Sequence, residues 1–169
     1  MIILGIDPSL RRSGFGVIRM LSADRAEILD CGVINVPANA PQSECLRRLN
    51  GGMHELVRTY HPDQVSIESP FYGKNVKTAM ILSMARGVII AAMADSSIPV
   101  YAYSPSHAKR AVVGNGAATK MQVAAMIAAR FKLDVSTIPD DATDALALAL
   151  CHGQITMVPA LAAMLPKPI

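Results

Sequence analysis

A chain of 169 residues that is 51% apolar and 17% charged can bury a real core, which excludes a disordered protein, and it is too short for two ordinary domains. Its three cysteines, Cys31, Cys45 and Cys151, are an odd number at spacings that fit no zinc site, and no secretory signal opens the chain, so a reducing, cytoplasmic setting is expected. The net charge of +3 comes from 16 basic and 13 acidic residues and by itself selects no partner.

The chain begins with Ile2-Ile3-Leu4-Gly5-Ile6, a short apolar run of the kind that forms a strand covered on both faces. Gly14 to Leu21 and Ala26 to Val36 are β-rich and flank the polar turn Ser22-Ala23-Asp24-Arg25, which predicts a three-stranded antiparallel meander. Leu46, Leu49, Met53, Leu56, Val57 and Tyr60 then recur at helical spacing until Pro62. Gly51-Gly52 inside that helix cost about 1 kcal/mol each in propensity, so packing must hold it. Gln64 to Glu68 reads as a strand, Asn75 as the cap of a long helix to about Asp95, and Val100 to Tyr103 as a further strand. Ser104-Pro105 is an N-cap with proline at the first helical position, and Gly114 suits the far end. Thr119-Lys120-Met121-Gln122 is a capping box, and Pro139-Asp140 opens a last helix through about His152. Ala145 to Pro166 carries no charged residue, but His152-Gly153-Gln154 and Pro159 break it. A membrane span wants about 20 apolar residues, so a buried core helix followed by a tail is expected, with no membrane. Three antiparallel strands followed by αβ crossovers predict a mixed α/β sheet of five strands flanked by helices, with a single domain over 1–152 and a tail over 153–169.

The acids carry the chemistry. Asp7 ends the most apolar strand, where a charge is costly without a partner, and Glu68 ends Val65-Ser66-Ile67 in the same way. Asp141 and Asp144 are three apart on the last helix and share a face. If the four meet, hard oxygen donors select Mg²⁺ or Mn²⁺, and two such ions about 4 Å apart can drive an in-line phosphoryl displacement. Simpler roles exist for three of them: Asp141 and Asp144 could complement a helix dipole, and Glu68 could be a solvated strand end.

Ile3-Leu4-Gly5-Ile6-Asp7-Pro8 and Gly14-Phe15-Gly16-Val17-Ile18 resemble the opening of the RuvC family of bacterial Holliday-junction endonucleases. Ile67-Glu68, Phe71, Lys74-Asn75, Ala85-Arg86-Gly87, Ala108-Lys109, Val112-Val113-Gly114, Lys120 with Gln122-Val123, and Asp141 through Asp144-Ala145-Leu146-Ala147 follow in that family's order, over residues 1–152. The resemblance implies an RNase H-like fold, a homodimer and a Mg²⁺-dependent junction resolvase of recombination and repair. It maps the family's acidic ligands onto Asp7, Glu68, Asp141 and Asp144, its helper lysines onto Lys109 and Lys120, and its base-stacking ring onto Phe71. It also implies symmetric paired nicks that leave 5′-phosphate and 3′-hydroxyl ends, and the branch-migration partners RuvA and RuvB.

Arg11, Arg12 and Lys74 stand in loops beside the acids and are further candidates for DNA contact. Arg86, amid Met80, Ile81, Met84 and Val88, suits structure or the dimer; a Met-rich stripe is usually core, though the resemblance implies that this helix serves the dimer interface. Gly114-Asn115-Gly116 could offer backbone N–H groups to a phosphate but lacks a Walker ending, so a plain turn is the default. With the four site acids set aside, 16 basic residues face nine acidic ones, a surface balance of +7. One departure stands out: Ser9 and Leu10 follow Asp7-Pro8, where the family usually has glycine, and a positive φ there would cost serine. The alternatives are an RNase H-like nuclease acting on another branched or hybrid substrate, a junction-binding dimer without catalysis, and an actin- or sugar-kinase-type nucleotide binder.

Overall fold

The computed structural model describes residues 1–70, 75–134 and 137–169. Strands β1 (Ile2–Asp7), β2 (Arg12–Met20) and β3 (Ala26–Asn35) form the expected meander. Helix α1 (Gln42–Tyr60) leads to β4 (Gln64–Glu68), and α2 (Val76–Asp95) leads to β5 (Val100–Tyr103). Helices α3 (Pro105–Val113), α4 (Lys120–Phe131) and α5 (Asp140–Met157) follow, with a short 3₁₀ turn over Pro159–Met164. The sheet order is β3-β2-β1-β4-β5, with β1 antiparallel to β2 and parallel to β4. This is the mixed five-stranded sheet of an RNase H-like α/β fold.

The local signals hold where they were read. Asn75 Oδ1 accepts from the Thr78 N–H at 3.1 Å, Ser104 Oγ from His107 at 3.3 Å, and Thr119 with Gln122 closes both halves of a capping box. Gly114 ends α3 with a φ of 79°, and Asn115 Oδ1 accepts from Ala117 to make the plain turn that follows. Gly52 packs closely on β3, where a Cβ would press on the end of the Ile34 side chain.

Strand alternation sorts the core into two layers. Leu4, Ile6, Val17, Val65 and Ile67 face α1 and α2, where Leu49, Met53, Ile89 and Met93 are buried. Ile3, Ile18 and Tyr103 face α5, with α3 and α4 behind it. Twelve of the eighteen residues of α5 are buried, as a core helix requires. The helix runs to Met157, past the His152 end that the sequence suggested. The reason is tertiary. His152 is fully buried with Nδ1 2.7 Å from the Tyr103 hydroxyl and Nε2 2.6 Å from Gln64 Oε1, and Gly153 lies where a Cβ would overlap Met20. Residues that look like breakers are thereby satisfied inside the helix.

Three glycines bring α5 down onto the sheet. Gly5 and Gly16 are cross-strand partners, and Gly14 is the partner of Asp7. A Cβ at Gly5 would overlap the Ala145 carbonyl, one at Gly14 the Asp141 carbonyl, and one at Gly16 the Leu146 side chain. The small Ala145 and Ala149 meet this floor, so helix backbone rests nearly on strand backbone.

The Met-rich stripe of α2 departs from the core reading. Ala85, Ile89, Ala92 and Met93 are buried, while Val76, Met80 and Met84 are exposed at 70%, 57% and 43%. The helix is apolar on every side and long enough to cross a membrane by length and composition.

Candidate active site

Register makes the site. Asp7 is one step beyond the β1–β4 pair Ile6↔Ile67, so Glu68 stands beside it on the adjacent parallel strand. Residues 3, 5 and 7 share the face covered by α5, and residues 64, 66 and 68 share it on β4. The first turns of α5 then deliver Asp144 to a pocket of about 240 Å³ lined also by Asp7, Glu68, Lys109 and Lys120. The site lies at the carboxyl ends of parallel strands, where open α/β sheets place their ligands.

Asp7 and Glu68 are in side-chain hydrogen-bonding contact, which two carboxylates make only by sharing a proton. Burial, the Glu68 charge and then Asp144 push the Asp7 carboxyl up to about 8, against the opposing pull of Lys120. Burial also raises Glu68, and the Asp144 charge adds to this, while the contact with Asp7 and the charges of Lys120 and Arg86 hold it down. Lys120 Nζ is 2.6 Å from Asp144 Oδ2, and this hydrogen bond raises the lysine.

A raised carboxyl has a stability consequence with a definite sign. Asp7 ionises near 3.8 when unperturbed and near 8 in the fold, so the folded state holds the proton more tightly. Its contribution is complete below the lower value and is lost as pH rises through the upper one. In EDTA, Tm of the native protein relative to Asp7→Asn is expected to fall on the order of 10 °C between about pH 5 and pH 8. A difference independent of pH would mean that Asp7 ionises normally.

Asp141 is the acid that the structure does not bring into the pocket. Its Oδ2 lies 2.6 Å from Arg12 Nε at the start of β2. Among the described residues, no three acids stand close enough to clasp one ion as they are. The donor chemistry nonetheless fits a divalent cation: three carboxylates line one pocket and one of them, the half-buried Asp7, is driven to hold its proton, an excess of negative charge that a metal would relieve.

Arg11 and Arg12 both have partners within the chain. Arg11 donates to the Pro37 and Ala40 carbonyls at 2.8 and 3.1 Å and ties the β3–α1 connection to the loop after Asp7. The Ser9–Leu10 departure costs no backbone strain, because Ser9 has no positive φ. The Ser13 hydroxyl bridges to Ser9, while Leu10 is buried against Val36 and Cys45. Arg86 has a task that its sequence context did not reveal: its guanidinium donates to the Glu68 carbonyl and lines a second pocket with Asp7, Glu68, Ser69 and Ser83. Burial lowers its pKa, which the Glu68 charge opposes. Phe71 and Lys74, expected at the DNA, lie outside the described residues.

Fold and pocket together define a class, the RNase H-like proteins whose acids gather at the carboxyl edge of a mixed sheet. The sequence profile of the family described as crossover junction endodeoxyribonuclease RuvC matches residues 3–152. A curated relative of that description from Protochlamydia amoebophila is 42% identical over 158 residues, covering 94% of both chains. Another from Chloroflexus aggregans is 42% identical and covers 89% of this chain and 91% of its own. The structure titled T. thermophilus RuvC in complex with Holliday junction substrate superposes with a TM-score of 0.88 at 30% identity, covering 100% of this chain and 99% of that one. The yeast mitochondrial Holliday junction resolvase shares the fold, with a TM-score of 0.66 at 14% identity over 90% of this chain and 77% of its own. The chain belongs to the RuvC family of crossover junction endodeoxyribonucleases.

Proposed function

We propose that the protein resolves Holliday junctions in homologous recombination and DNA repair by symmetric paired nicks, in the bacterial cytoplasm. The observation that carries this reading is the Asp7, Glu68 and Asp144 trio in a pocket with Lys109 and Lys120, in a chain of this family. Asp7, Glu68, Asp141 and Asp144 would hold two divalent ions, Mg²⁺ or in its place Mn²⁺. Two such ions, when bound, would supply Lewis-acid chemistry for a water attack on the scissile phosphodiester, with 5′-phosphate and 3′-hydroxyl ends as the expected products.

The chain's own groups orient the DNA. Lys109 and Lys120 neutralise phosphates beside the cut, and Lys120 also restrains Asp144. Arg12 and Lys74 extend this contact, Arg11 supports it through the loop it ties, and Phe71 stacks on an unpaired base at the crossover. Arg86 is a positioning residue: its hydrogen bond fixes the chain where Glu68 leaves the sheet.

Two nicks of like polarity need two sites, so the working form is a homodimer. A second copy covers the exposed apolar side of α2 at Val76, Met80 and Met84, and RuvA and RuvB present the junction. Met84→Glu is expected to convert the dimer to monomer in light scattering and to uncouple the two nicks. A Met84→Glu protein that stays dimeric would place the interface elsewhere.

The deciding experiment incubates purified protein with a synthetic four-way junction, linear duplex and RNA–DNA hybrid, each with Mg²⁺ or EDTA. Paired cuts confined to the junction and to Mg²⁺ are expected. Preferential cutting of the hybrid would favour the other RNase H-like substrate class.

A further inference from the structure

The acid left outside the pocket points to a device within the site. Asp141 is fixed at its backbone, because its carbonyl lies against Gly14. Arg12 is fixed as well, as the first residue of β2, paired with Asn35 and preceded by the anchored Arg11. Between these two fixed points the guanidinium Nε meets Oδ2 at 2.6 Å.

We propose that Arg12 is a positioning residue that occupies a ligand place on Asp141 in the DNA-free protein and competes there with the weaker-binding of two divalent ions. The inference rests on the assignment of Asp141 as a metal ligand. A guanidinium keeps its charge at any accessible pH, so while it is paired with Asp141 it opposes the approach of a second cation to that carboxylate. Lys120 pairs with Asp144 in a similar way, but Lys120 lines the pocket, whereas Arg12 is not among its lining residues. The competition is moderate, since Arg12 is 56% exposed and Asp141 27%. A DNA phosphate arriving over the β1–β2 loop can take the guanidinium from Asp141, so that substrate favours completion of the metal site.

Mn²⁺ binding to the full chain, free of DNA and followed by electron paramagnetic resonance, tests this. Arg12→Gln is expected to tighten the weaker Mn²⁺ midpoint by about threefold to fivefold, with Arg12→Lys falling in between. Asp141→Asn is expected to abolish the weaker midpoint, and Arg12→Gln added to Asp141→Asn to change nothing further. An unchanged midpoint in Arg12→Gln, while Asp141→Asn still loses the ion, would overturn the competition and leave the ligand set standing. An equal tightening by Arg12→Gln in the Asp141→Asn background would also overturn it, because the effect would then be long-range charge. Unaltered Mn²⁺ binding in Asp141→Asn would remove Asp141 from the ligands and the inference with it.

Discussion

Asp7→Asn is expected to lower cleavage of a four-way junction by at least about 10³-fold while leaving junction affinity within about threefold. The change keeps the shape of the side chain and removes the charge at the one position where strand end, helix floor and neighbouring acids coincide. Because the Asp7 carboxyl is pushed up to about 8 by burial and by Glu68 and Asp144, the neutral amide resembles the protonated acid of the metal-free fold. The variant should therefore fold, and by the linkage argument it should be the more stable protein at alkaline pH without metal. Its defect then lies in chemistry. Paired assays of binding in EDTA and cleavage in Mg²⁺ would separate the two. Cutting at the native rate would remove Asp7 from the metal site.

Gly5→Ala is expected to destabilise the protein by about 3 kcal/mol or more, a fall in Tm on the order of 10 °C. The added methyl would overlap the Ala145 carbonyl and crowd the Ala149 nitrogen. Both are helix backbone and cannot swing aside, so α5 must lift from β1. Any residual folded protein would carry Asp141 and Asp144 away from Asp7 and Glu68, with cleavage falling more than junction binding. Gly51→Ala is the control, a helical glycine with open space around it; it should gain about 0.5–1 kcal/mol. Thermal melts of the two variants decide it, and a Gly5→Ala protein as stable as the native chain would mean that α5 is not seated on the sheet by this contact.

Much of this could be read from sequence because the signals are short-range. Caps at Asn75, Ser104 and Thr119 bind N–H groups three residues away, and a strand-terminal acid in an apolar run is costly wherever the strand lies. The pairing of Asp7 with Glu68 was legible only as a coincidence of strand ends; register turned it into contact. What sequence could not give are the long-range partners. Arg12 and Asp141 are 129 positions apart, and Arg86 and Glu68 are 18 apart on different elements. His152 looked like an interruption because nothing local announces that Gln64 and Tyr103 will satisfy it. For the methionines of α2 composition favoured core and only the family resemblance pointed to an interface, because composition does not distinguish a face buried inside one chain from a face left for another.

The seating of α5 also governs where damage should be felt. Asp141 and His152 are eleven residues apart on one helix, about 16 Å along its axis. A rigid rod pressed on a flat floor pivots when either end is disturbed, so enlarging a residue near His152 tilts the acids at the opposite end. Saturation mutagenesis scored by survival after DNA damage would then trace a line of intolerance along the underside of this rod, extending well away from the cations and the cut strand.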